Sequence, residues 1–203
     1  MEMSCKSGSC SLIHRVTNIV EPLDLAALFP QAQPLELELG CGDGTFMAQY
    51  AAQHRERNFI GVERLLGRVR KLERKGLRVG LTNLRIIRLE AAYLAQYMLP
   101  TEAISALHIY FPDPWPKKRH HKNRLINDEF TRLLERILVP QGIVYLRTDN
   151  LEYFEWILVA FATNPHFQKV ETPPELAALV TDFERDFNAQ GIPTLRAAYQ
   201  RMT

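Results

Sequence analysis

The sequence predicts an α/β fold with a mostly parallel central sheet and helices on both faces, and three observations predict it. Short apolar runs alternate with stretches of helical composition. The first strong run is followed at once by Gly40-Cys41-Gly42-Asp43-Gly44. Four of the five clearest strands end in, or just before, a carboxylate or that glycine loop. Alternation at these spacings builds βαβ units, whose right-handed crossovers put helices on both sides of a sheet. Ligands of such sheets bind beyond the carboxyl ends of the strands, so these endings should share one edge.

In chain order, residues 1–30 read as a flexible leader with a possible short helix between Leu12 and Phe29, and residues 31–203 as a single domain. Leu35 to Leu39 alternates apolar and acidic side chains between Pro34 and the glycine loop, as a strand does. Thr45 to about Arg55 has helical composition. Phe59 to Val62 is a second strand ending at Glu63, and a basic amphipathic helix follows from about Arg64 to Lys75. Leu84 to Leu89 is a third strand stopping at Glu90, with a helix over Ala91 to Met98. Ile104 to Tyr110 is the fourth. Apolar positions at Phe130, Leu133, Leu134, Ile137 and Leu138 give Asp128 to Leu138 helical spacing, with Pro140-Gln141-Gly142 as its stop signal. Ile143 to Leu146 is a fifth strand running into Arg147-Thr148-Asp149, and Leu151 to Phe161 is a helix. The remainder holds a weak strand at Phe167 to Val170, a helical piece after Pro174 and a last strand near Leu195 to Arg201.

With 203 residues and 46% hydrophobic content, the chain can bury one good core. Its net charge is only +2, so affinity for a polyanion must come from where the charges sit. No apolar run reaches transmembrane length and the first ten residues lack the hydrophobic stretch of a signal peptide, which points to a cytoplasmic protein without a membrane partner. Cys5, Cys10 and Cys41 are an odd set with no second pair to complete a metal site, and read as reduced thiols. His120 and His121 are neighbours without further ligands at suitable spacing, so no metal is expected.

The glycine loop departs from a dinucleotide fingerprint. Thr45 stands where a third Gly or Ala would be wanted, and Glu38 and Asp43 would repel a pyrophosphate. Both acids suit instead a cationic ligand carrying a sulfonium and an ammonium. Glu63, nineteen residues beyond Gly44, is placed to accept from two ribose hydroxyls. Together these features fit S-adenosylmethionine. The competing reading is a tight turn whose acids face water. Glu90 falls where an adenine amine would lie, or caps the helix beginning at Ala91.

The most unusual stretch is Phe111-Pro112-Asp113-Pro114-Trp115-Pro116, followed by seven basic or imidazole side chains within the eight positions Lys117 to Arg124. Three prolines exclude helix and inner strand and stiffen the segment, holding Asp113 and Trp115 beside a cationic strip. Lys117, Lys118, Arg119, Lys122 and Arg124 are candidate phosphate contacts, with Arg64, Arg68, Arg70, Lys71 and Arg74 of the basic helix either assisting or forming a solvated face. Trp115 is either a stacking surface for a base or a turn-packing residue.

Glu38-Leu39-Gly40-Cys41-Gly42-Asp43-Gly44, Gly61-Val62-Glu63 and the run Phe111 to Lys122, in this order, resemble the bacterial tRNA (guanine-N7-)-methyltransferases, and the likeness extends from about Leu35 to Arg201. The resemblance implies a Rossmann-like class I methyltransferase domain with S-adenosylmethionine held by Glu38, the loop glycines Gly40, Gly42 and Gly44, Glu63, Glu90 with Ala91, and Asp113. It makes Asp113 the catalytic residue. Lys117, Asp149, Thr181, Phe183 and Glu184 would lie on the tRNA side with Arg119 and Lys122, and the product would be 7-methylguanosine in the variable loop. Glu90 stands where Asp or Asn is usual, Asn150 where Trp often follows Thr-Asp, and Asp182 in place of a frequent Lys; Asp186 interrupts an Arg-Gly. The alternatives are a class I methyltransferase of small molecules and a non-catalytic RNA-binding protein of this fold; monomer and homodimer are equally compatible with the sequence.

Overall fold

The computed structural model describes residues 11–203; Cys5 and Cys10 lie outside the described residues. Eight strands form one sheet: β1 (Ile13–His14), β2 (Leu35–Leu39), β3 (Asn58–Val62), β4 (Leu84–Ile87), β5 (Ile104–Tyr110), β6 (Leu138–Thr148), β7 (Phe167–Val170) and β8 (Leu195–Arg201). Their order is β1-β4-β3-β2-β5-β6-β8-β7, parallel from β1 to β6, with β8 antiparallel to both of its neighbours. The order in which successive strands are added reverses between the parallel neighbours β2 and β5, which is where a ligand crevice opens in such topologies.

Every residue of β2 and β3 is buried, as a central parallel strand covered on both faces requires. One face packs against α1 (Leu25–Leu28), a π turn at Leu94–Met98, α5 (Asp128–Ile137) and α6 (Leu151–Ala162), with Leu37, Leu107 and Leu146 from the strands. The other packs against α2 (Thr45–Gln53), α3 (Leu66–Arg78) and α7 (Pro174–Ala178) through Phe46, Tyr50, Leu72 and Leu176. Side-chain caps start the helices where the sequence offers an acceptor: Asp24 for α1, Asn127 for α5 and Asn150 for α6.

Several elements differ from the sequence expectation, each for a local reason. Ile13–His14 joins the sheet beside β4, and Leu12 is buried in the groove left by Gly76 of α3, so part of the stretch read as leader is built into the fold. Leu138 ends α5 and opens β6 with no loop between. The pairing of β6 with β5 is irregular between Ile104 and Ala106, and a Cβ at Gly142 would sit 2.9 Å from the Val139 carbonyl oxygen. Pro140-Gln141-Gly142 is therefore an irregularity within a strand and not a turn before one. The helix expected over Ala91 to Met98 is one turn of α4 (Ala91–Tyr93) that widens into the π turn. Two further helical pieces are new: a 3-10 turn at Lys118–Asn123 inside the basic run, and α8 (Asp182–Ala189).

Candidate active site

The carboxyl ends of β2 to β6 carry the Gly40–Gly44 loop, Glu63, Glu90, Asp113 and Asp149 along one edge. The amides of Gly40 and Cys41 both donate to Val62 O, at 2.9 and 3.0 Å, which ties the loop to the end of β3. Gly44 has φ +74°, and a Cβ there would lie 2.7 Å from Leu72 Cβ, so this position excludes any other residue on conformation and on space.

Glu38, at 3% exposure, ends this framework, and its Oε2 has no hydrogen-bond partner among the described residues. Burial raises its carboxyl to about 8; the Arg147 charge opposes the rise, and Asp43 and Glu63 add to it. A buried carboxylate with an idle oxygen fits a cationic ligand, because a cation replaces the solvation that folding removed. Asp43 differs from expectation. Lys75 Nζ of α3 is 2.9 Å from its Oδ2, so the site already holds a cation for it. Burial works to raise the Asp43 carboxyl, but the bonds and charge of Lys75, with Asp182 and Thr45, pull it down to about 2. Thr45 Oγ1 reaches Asp182 Oδ2 of α8 at 2.7 Å, linking the loop to the late chain.

Glu63 is 6% exposed and receives the Leu65 amide on Oε1 at 2.9 Å, with Arg68 Nη1 3.7 Å from Oε2. Glu90 takes the helix-cap alternative: Ala92 N and Tyr93 N donate to its two oxygens at 3.1 and 2.7 Å, and Ala91 is the first residue of α4.

Asp113 is exposed on the segment leaving β5. That segment is held in unusual backbone: Phe111 and Trp115 both have positive φ, 53° and 46°. For bulky residues this costs about 1–3 kcal/mol each and persists where surroundings dictate it. Phe111 N donates to Arg147 O, and Arg124 Nε donates to Pro114 O at 2.8 Å. Arg124 thereby corrects the expected strip. It is 2% exposed, pairs with Glu152 at 3.0 Å and lies over the rings of Tyr153 and Trp156, so it braces the segment from inside and does not face a phosphate. Lys117, Lys118, Arg119 and Lys122 are exposed around the 3-10 turn, and Trp115 packs edge-on against His120 with centroids 5.8 Å apart.

Asp149 is half-buried beside the buried Thr148. Thr181 caps α8, and Phe183 is 50% exposed, with Phe111 and Phe187 rings nearby and Arg68 over it at 5.9 Å. Glu184 stands differently from a substrate-facing acceptor: it is fully buried, and its oxygens are taken by Arg147, Arg196 and the Thr181 amide. Among the described residues no group of three His, Cys, Asp or Glu side chains is placed to hold a metal ion, and no helix is long and apolar enough to cross a membrane.

A doubly wound sheet with one reversed strand next to its edge is the Rossmann-like fold of class I methyltransferases. Solved structures share this fold: the 16S rRNA methyltransferase KamB, at TM-score 0.64 and 17% identity over 89% of this chain and 93% of that one, and TrmN from Thermus thermophilus, at 0.58 and 18% over 84% and 45%. The profile of the family described as "Putative methyltransferase" matches residues 32–197. The tRNA (guanine-N(7)-)-methyltransferase of Halorhodospira halophila is 38% identical over 80% of this chain and 73% of its own length. That of Nitrosomonas eutropha is 42% identical over 65% and 59%. The chain belongs to the tRNA (guanine-N(7)-)-methyltransferase family.

A cationic ligand seated on Glu38 would bind with release of a proton. With its carboxyl raised from 4.5 to about 8, a cationic ligand that takes the carboxylate must displace a proton below that pH, and affinity rises with pH through this window. Titration calorimetry with S-adenosylhomocysteine near pH 6.5, in two buffers of different ionisation enthalpy, should show release approaching one proton per site, and Glu38→Gln should abolish it. Equal release by both proteins would assign the proton to another group.

Proposed function

We propose that this enzyme transfers the methyl group of S-adenosylmethionine to N7 of a guanine in the variable loop of tRNA, in the cytoplasm, with a methyltransferase domain that spans residues 31–203 and takes β1 into its sheet. One observation carries the reading. The unpaired, buried Glu38 at the end of β2 and the proline-locked Asp113 with its basic turn at the end of β5 leave neighbouring strands, so a cation-taking pocket and a polyanion-taking strip share one edge. The names of the relatives agree with such a substrate.

When bound, S-adenosylmethionine supplies an electrophilic methyl on a sulfonium. Guanine N7 has an in-plane lone pair outside the aromatic sextet, so no base is needed to activate it. The protein's tasks are alignment and stabilisation of a guanine that becomes cationic. Glu38, the loop glycines Gly40, Gly42 and Gly44, Glu63 and the Glu90–Ala91 turn form the cofactor side. Asp113, held by three prolines and by Arg124, sets the cofactor against the base and is the catalytic residue. Asp149 is the acceptor for guanine N1–H or its exocyclic amine; Glu184, saturated by two arginines, acts by position. Lys117, Arg119 and Lys122 take phosphates, and Phe183 offers an apolar ring beside the cleft.

The test is transfer of labelled methyl to unmodified bulk tRNA, followed by borohydride reduction and aniline cleavage. A single cut in the variable loop is the expected result, and transfer to small acceptors alone would replace tRNA as the substrate. In single-turnover experiments Asp113→Ala should slow methyl transfer at least about a hundredfold while tRNA affinity changes by less than about threefold, a loss confined to the transition state. An unchanged rate would remove Asp113 from the chemistry. For the strip, Lys117→Ala with Arg119→Ala should weaken tRNA binding and reduce the slope of log affinity against log salt by up to about one unit per lost contact. An unaltered slope would mean these side chains are only solvated.

A further inference from the structure

Arg147 and Arg196 are directly opposite one another on the antiparallel strands β6 and β8. Like charges in such positions repel, and Glu184 of α8 resolves the conflict from between them. Its Oε2 accepts from Arg147 Nη1 at 2.8 Å, and its Oε1 accepts from Arg196 Nη2. The Arg147 guanidinium is spent further. Nη1 also donates to Leu179 O at 2.7 Å and Nη2 to Leu176 O at 2.6 Å, so one planar fork takes the last carbonyls of α7 and the buried acid of α8 together. Below it the Tyr110 ring lies 4.2 Å from Cζ, with Phe46 at 5.7 Å. The arginine is sandwiched, fully buried and multiply bonded, an arrangement an ammonium cannot reproduce.

What this fork holds is the cover of the cleft. From the segment it anchors, Asp182 takes Thr45 of the glycine loop, and Phe183 lies near Phe111 and under Arg68. The same guanidinium is the positive charge that favours the ionised form of Glu38.

We propose that Arg147 is a positioning residue that couples the two halves of the active site: it clamps residues 176–184 over the substrate side and packs against Phe46 of the helix that follows the glycine loop. This rests on the reading of the enzyme as a tRNA methyltransferase. It implies that the fork and the charge of Arg147 are separable functions. Arg147→Lys keeps the charge near Glu38 and loses the fork; Arg147→Met loses both.

For the lysine variant the expected result is S-adenosylmethionine affinity within about threefold of wild type, a kcat on unmodified bulk tRNA at least about tenfold lower, and faster amide exchange over residues 177–184 while the core strands keep their protection. For the methionine variant cofactor affinity should also fall at least about tenfold. The proposal is overturned if Arg147→Lys leaves kcat within about twofold, if exchange over 177–184 is unchanged, or if both variants lose cofactor affinity equally. Should the methionine variant not fold, the lysine variant alone decides the clamp. Should wild-type enzyme transfer no methyl to tRNA, the substrate reading fails by itself, and the exchange and cofactor measurements, which need no tRNA, still decide the role of Arg147.

Discussion

Three carboxylates, Glu38, Asp43 and Glu63, converge at the carboxyl edge of the sheet closely enough that Asp43 and Glu63 each raise the proton affinity of Glu38. Such a cluster survives folding only if each negative charge meets a positive one or a proton. The protein answers with one cation for each acid, at graded distance. Lys75 touches Asp43, Arg68 stands 3.7 Å from Glu63, and Arg147 acts on Glu38 through space while its hydrogen bonds go elsewhere. The gradation leaves Glu38 as the under-compensated member. Electrostatic frustration is thus concentrated at one oxygen, which is why the proposed function seats the cationic cofactor there.

The same sheet face carries a second polar file leading away from the site. Arg57 pairs with Glu36, Glu36 Oε2 is 2.8 Å from His108 Nε2, and His108 Nδ1 is 2.9 Å from the Tyr110 hydroxyl, whose ring supports Arg147. His108 is fully buried and stacks on Tyr145 with centroids 5.4 Å apart. Desolvating this file is costly unless every partner is in place. A one-residue slip of β5 against β2 would drive His108 and Tyr110 into the apolar layer that Leu37 and Leu146 line, and turn Leu107 and Ile109 out of it. Strand register is therefore specified by charge as well as by hydrophobic pattern, and the heights of Glu38 and Arg147 at the edge follow from that register.

Local signals made much of this readable in advance. Leu35 to Leu39, Ile104 to Tyr110, Phe167 to Val170 and Leu195 to Arg201 have the predicted bounds; Pro34 and Gly40 mark the ends of the first directly. The order of the strand-end acids followed from alternation alone. Partnership across the chain was not readable. Nothing near Arg124 distinguishes it from Lys122, yet Tyr153, Trp156 and Glu152, about thirty positions on, bury one and leave the other in water. Asp43 resembles a ligand acid until Lys75 is brought beside it. Thr181 and Glu184 have capping-box spacing, a local signal for α8 that also turns Glu184 inward. Two-residue β1 is too short for any periodicity to show.

Charge placement also explains how a chain of net charge +2 handles a polyanion and a cation at one edge. Arginines that might have bound RNA are withdrawn: Arg147 and Arg124 are buried, and Arg57 serves Glu36. Lys117, Lys118, Arg119 and Lys122 remain outside, on a turn whose backbone is fixed by the prolines and by Arg124. Methyl transfer to N7 moves one positive charge from sulfur to the base. An edge built for it needs carboxylates at both ends of that path and cations only beyond it, where phosphates lie. Glu38 near the start, Asp113 and Asp149 on the following strand ends, and the lysines past Pro116 are in that sequence. Burying Arg147 and Arg124 withdraws two positive charges from that exposed path, where they would oppose the developing cation.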